Sequence, residues 1–122
     1  MATTPYGLVH SISCRETMLA SGAITQCRFV GYGGAQATVL GQICFGIAEM
    51  DALSGQDFPV AVSGIAIVQA GAAIAIGDAI TTSATGKAVV AAATQQILGR
   101  AMSAASADGE FIRISLDKEG AA

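Results

Sequence analysis

Apolar residues alternate with polar ones near the end of the chain. In FIRISLD, residues 111–117, Ile112, Ile114 and Leu116 share one side and Arg113, Ser115 and Asp117 the other. A period of two predicts a half-buried strand with the three aliphatic side chains inward. Upstream, Leu98, Arg100 and Met102 alternate with Ile97, Gly99 and Ala101, a second strand. Between them SAASADGE carries Asp108-Gly109, a hairpin signal. Val60 and Val62 share one parity, then Ile65 and Ile67 take the other, so Ser63-Gly64 is expected to hold a bulge or sharp bend. Ile74, Ile76 and Ile80 flank Gly77-Asp78, a further corner, and a strand over 87–90 follows the Thr85-Gly86 turn.

The segment from Phe58 to Gly77 has no charged side chain. It is long enough for a spanning helix, but Pro59, Gly64, Gly71 and Gly77 interrupt it, Ala dominates, and only Asp57 and Asp78 flank it. A buried helix is also disfavoured. Glycines recur along the whole chain from Gly22 on, the longest gap running from Gly86 to Gly99, and each mid-helix Gly costs about 1 kcal/mol relative to Ala. Such punctuation predicts short strands joined by turns.

The first third is less periodic. VHSIS reads as a strand, ETMLASGAIT as a helical turn before the strand CRFVG, and ICFGIAEMD as a strand leading into the loop ALSGQD. The N-terminal MATTPYG has no pattern and is expected to be an extended arm. The expected fold is therefore all-β: one small barrel- or sandwich-like domain of short strands with Gly-rich turns, a short helical turn, and an N-terminal arm. Residues 1–20 form the arm and first strand, and 21–122 the β-rich body.

Composition narrows the function. The 122 residues are 52% apolar and only 12% charged, roughly half the usual charged share, which suits a surface that meets protein. A net charge of −3 with six scattered bases argues against nucleic acid and anionic membranes as partners. The N-terminus lacks the basic start and apolar run of a signal peptide. Cys14, Cys27 and Cys44 have neither metal-ligand nor redox-motif spacing and read as small apolar side chains in a reducing compartment.

Candidate chemistry is sparse. His10, the single histidine, has no spacing that ties it to Cys14 or to an acid, and reads as a surface residue. GYGGAQ, residues 31–36, lacks the third glycine of a dinucleotide fingerprint and reads as a loop or hairpin. Glu49, Asp51 and Asp57 lack calcium-loop spacing and read as a solvated loop. Lys87 sits at a hairpin, but TGKA gives no cofactor-attachment signal. No catalytic residue, metal, cofactor or small-molecule substrate is expected.

The stretch PVAVSGIAIVQAGAAIAIGDAITTSATGKAVVAA followed by ILGRAMSAASADGEFIRISL resembles the C-terminal half of bacteriophage capsid cement (head decoration) proteins. CRFVGYGGAQATVLGQICFGIAEMDALSGQDFPV is similar to their middle section, so the resemblance covers roughly residues 24–117. MATTPYGLVHSISCRETML departs from it. The resemblance implies a structural virion protein on the capsid exterior, made in the host cytoplasm, binding the major capsid protein and itself, commonly as a homotrimer at local threefold positions. Tail or baseplate modules and a non-catalytic accessory domain are the alternatives. Pro5, Tyr6 and Leu8 in the arm are the candidate interface anchors, with Tyr6 offering a large ring and a polar tip.

Overall fold

The computed structural model describes residues 11–122. It contains eight strands and, among these residues, no helix. They are β1 Ser11–Leu19, β2 Phe29–Val30, β3 Gly46–Ala48, β4 Asp57–Gln69, β5 Ala79–Thr82, β6 Ala88–Val90, β7 Gln96–Ala101 and β8 Phe111–Ala121. All pair antiparallel in one sheet of order β2-β3-β4-β8-β7-β5-β6, with β1 on the other edge of β4. The sheet curls until its ends nearly meet. Phe29 N donates to Gly86 O across 2.8 Å and Gly41 N to Thr82 O across 2.9 Å, tying the β2 end to the β5–β6 hairpin. The result is a small, nearly closed β-barrel.

Strand β8 is as its period predicts: Ile112 and Ile114 are fully buried and Leu116 packs at the rim of the core. They join Phe29, Ile47, Val68, Ile80 and Leu98 inside the barrel. A second, smaller cluster of Phe58, Val60, Ile24, Val30 and Ala48 lies on the opposite face of β4, capped by Met18 and Phe45.

The long uncharged segment differs from the expected string of short pieces in its first half, where residues 57–69 form one strand. The bend at Ser63-Gly64 is present. Gly64 has φ +98°, and pairing with β1 shifts register on both sides of Cys14, which lies opposite Ser63. Ala61 before the bend and Ala66 and Val68 after it all face the main core, so the inward parity flips across it. Val60 instead faces the smaller cluster, and Val62 is only half-buried.

Two local expectations are corrected. ETML is the end of β1, not a helical turn. Its residues pair with Val60 to Asp57, because the free edge of β4 needs hydrogen-bond partners more than these residues prefer helix. Leu98 does not share a side with Arg100 and Met102. A register shift between Ile97 and Gly99 turns Leu98 into the core while Arg100 stays exposed. The hairpin signalled by Asp108-Gly109 forms, β7 pairing antiparallel with β8 and Ala101 lying opposite Ile114, but its connection is a long loop and not a two-residue turn. Segment 102–110 folds back onto residues 70–74, with Gly109 N donating to Ala70 O and Ile74 and Ala105 exchanging backbone hydrogen bonds. The Gly77-Asp78 corner does form: Asp78 Oδ2 accepts from Ala75 N at 2.9 Å and Gly77 has φ +89°.

Thr81 is fully buried, and its Oγ1 has no hydrogen-bond partner among the described residues. A buried hydroxyl without a partner costs about 1–3 kcal/mol, and valine has nearly the same shape. Thr81→Val is expected to raise the stability by about 1 kcal/mol in urea unfolding. A loss of stability instead would show that the hydroxyl has a partner.

Candidate functional surfaces

The thiols offer no nucleophile inside the barrel. Burial pushes the Cys27 thiol up to about 11 and the Cys44 thiol up to about 12, so both stay protonated at neutral pH. Cys14 is exposed on β1. Lys87 Nζ pairs with Asp108 Oδ1 at 2.9 Å across the β5–β6 turn and the 102–110 segment. The three acids are dispersed among separate roles. Glu49 pairs with the Arg15 guanidinium at 2.7 Å, Asp51 Oδ1 accepts from Gln26 N at 2.7 Å, and Asp57 lies exposed at the start of β4. No group of three potential metal ligands occurs among the described residues. GYGGAQ is a turn: Gly31 N donates to Ala35 O, and Val30 bridges Gln36. His10 and the candidate anchors Pro5, Tyr6 and Leu8 fall outside the described residues.

The sequence reading missed an apolar tip between β2 and β3. Val39, Leu40 and Ile43 are each more than half exposed, an arrangement that surfaces evolved only for water seldom concentrate within five residues. The tip is held firmly. Gln42 Oε1 accepts from Thr38 N at 3.0 Å and Val39 N at 2.9 Å. Gly41 donates to Thr82 O and accepts from Gln96 N at 3.1 Å. Gly41 also has φ +77°, and any side chain there would meet Gln95. Nearby, the exposed Tyr32 ring tilts at 58° on Phe45, with centroids 5.3 Å apart. From Phe29 to Ala48 the chain carries no charge at all. That was the signal available in the sequence, but it could not say which apolar residues point outward.

Two further carboxylates are held by near neighbours. The Arg100 guanidinium makes two hydrogen bonds to Glu119 and holds its carboxyl below the usual carboxylate range. Ser106 does the same for Glu110. These are surface contacts of modest energetic weight.

The family model for phage cement proteins matches residues 10–116. Among solved structures, the chain is similar to the crystal structure of the head fiber gp8.5 N base of bacteriophage phi29. The two are 21% identical with a TM-score of 0.70, over 85% of this chain and 93% of that one, a likeness of fold. No curated protein matches the chain.

Proposed function

The chain belongs to the phage cement protein family, a capsid-associated structural protein of the virion, and we propose that it binds the major capsid protein on the outside of the mature head as a homotrimer at local threefold positions. The observation that carries this reading is the family match across nearly the whole barrel. The role needs no chemistry: a ligand that binds the mature lattice and not its opened form stabilises that lattice by mass action. A trimer that touches several shell subunits at once gains further through effective concentration. No catalytic step is assigned to the protein.

The charge-free tip of Val39, Leu40 and Ile43 is the surface we assign to contacts between copies. A charge-free apolar surface can be covered by another copy without leaving an unpaired charge in the contact. The N-terminal arm is the second proposed contact, through Pro5, Tyr6 and Leu8.

The test mixes purified protein with undecorated heads and follows co-sedimentation, with light scattering for the oligomeric state. Wild-type protein is expected to decorate heads and to run as a trimer. A chain lacking residues 1–8 is expected to keep the β circular dichroism spectrum but to need a higher concentration for decoration, or to lose the trimer. Equal decoration and an unchanged oligomer would remove the arm from the interface. A wild-type protein that ignores heads would overturn the head-binding reading itself.

A further inference from the structure

The charges of this protein are not spread evenly over the barrel. One end is built from the last half of β1, the start of β4 and the 49–56 loop. It carries Glu16, Glu49, Asp51 and Asp57 against a single base, Arg15. Everywhere else five acids (Asp78, Asp108, Glu110, Asp117, Glu119) face five bases (Arg28, Lys87, Arg100, Arg113, Lys118). With four carboxylates to one guanidinium at this end and parity elsewhere, the entire formal charge of −3 sits there.

The same end is also apolar. Leu19 is 62% and Leu53 67% exposed. They are neighbours, since Ala20 N donates to Gln56 O and Gly55 N to Ala20 O, both at 2.8 Å. Beside them runs a shallow trough of about 200 Å³ lined by Ala23, Ile24, Asp51, Ala52, Leu53 and Gln56. Its walls are mainly aliphatic. Asp51 Oδ1 is fixed by Gln26 N, while its second oxygen makes no hydrogen bond among the described residues. An aliphatic channel with one held carboxylate matches a lysine or arginine side chain, whose stem packs on carbon and whose head needs an anion.

We propose that this acidic, apolar end is the face that docks on the capsid shell, against a basic protein surface that inserts a lysine or arginine side chain into the trough beside Asp51. The inference rests on the head-binding reading and names the docking face and the chemistry of its partner. A second copy of this chain suits the site poorly, because end-to-end pairing would bring like charges together and the rest of the chain, with five acids to five bases, has no net positive charge to offer. Nucleic acid and anionic lipid are repelled by the same charge.

The experiment titrates undecorated heads with fluorescently labelled protein at several salt concentrations. Wild-type affinity is expected to fall as salt rises. Asp51→Asn combined with Asp57→Asn is expected to weaken binding about tenfold at low salt and to flatten the salt dependence. Asparagine keeps an acceptor for Gln26 N, so circular dichroism and the oligomeric state are expected to stay as in the wild type. Leu53→Ala is expected to weaken binding at every salt concentration, and Asp117→Asn on β8 to change nothing. Wild-type affinity that is indifferent to salt, or variants that bind as well as the wild type, would overturn the docking face and leave the head-binding reading standing. Absence of wild-type binding would overturn both.

Discussion

Ile114→Ala is expected to lower the free energy of unfolding by about 2–5 kcal/mol, while Arg113→Ala, one residue away, changes it by less than about 1 kcal/mol. Ile114 is wholly shielded from water inside the main cluster. It lies opposite Ala66 on β4 and Ala101 on β7, two side chains too small to expand into a vacated volume. The cavity term therefore persists almost undiminished, and the loss falls toward the upper part of the range. Arg113 points to the other face. Its guanidinium makes no hydrogen bond or ion pair among the described residues, and its backbone contacts with Met102 and Ser103 survive the substitution. Urea unfolding of the two variants gives the comparison directly, provided the slopes agree. Equal losses would mean that β8 does not present its aliphatic side to the barrel.

That contrast shows where the sequence was legible. The period of two holds on β8 because the strand pairs without a bulge along residues 111–116, with one face on the core. Where a bulge inserts a residue, the same rule fails by one position, as at Leu98. At Ser63-Gly64 the parity switch was visible because aliphatic residues lie on both sides of it. The part of strand β1 beyond VHSIS hid from the pattern for another reason. Residues 13–17 are exposed on both faces, so nothing in the strand selects apolar residues at alternate positions, and the strand exists because β4 supplies hydrogen bonds. The apolar tip and the acidic trough were illegible because partners remote in sequence make them. Thr82 and Gln96 hold Gly41, and Gln26 fixes Asp51. Sequence order gives the charges but not which of them share an end.

The glycine of β3 links both of those surfaces to the core. Gly46→Ala is expected to destabilise the barrel by about 3 kcal/mol or more, the severe end of overpacking. The cause is space rather than backbone freedom, since Gly46 is not among the glycines with positive φ. A Cβ at this position would overlap the carbonyl oxygen of Ala61 and lie 2.7 Å from Val60 Cγ1. The first obstacle is backbone of the neighbouring strand and cannot rotate away, so β3 must lift off β4. Lifting it strains the pairs Ile47 with Ala61 and Ala48 with Val60, and the bonds by which Ala48 holds Cys27 and Arg28. Gly22→Ala is the matched control, because a Cβ there meets nothing within 4 Å, and it is expected to shift stability by no more than about 0.5 kcal/mol. The tip at 38–43 precedes β3 and the acidic loop at 49–56 follows it. If the tip joins copies and the acidic end docks on the shell, as proposed, Gly46→Ala weakens self-association and head binding together, whereas the Asp51 and Asp57 substitutions affect only the binding. A Gly46→Ala protein with wild-type urea midpoint would show that β3 can be displaced without loss, and that neither surface depends on its close approach to β4.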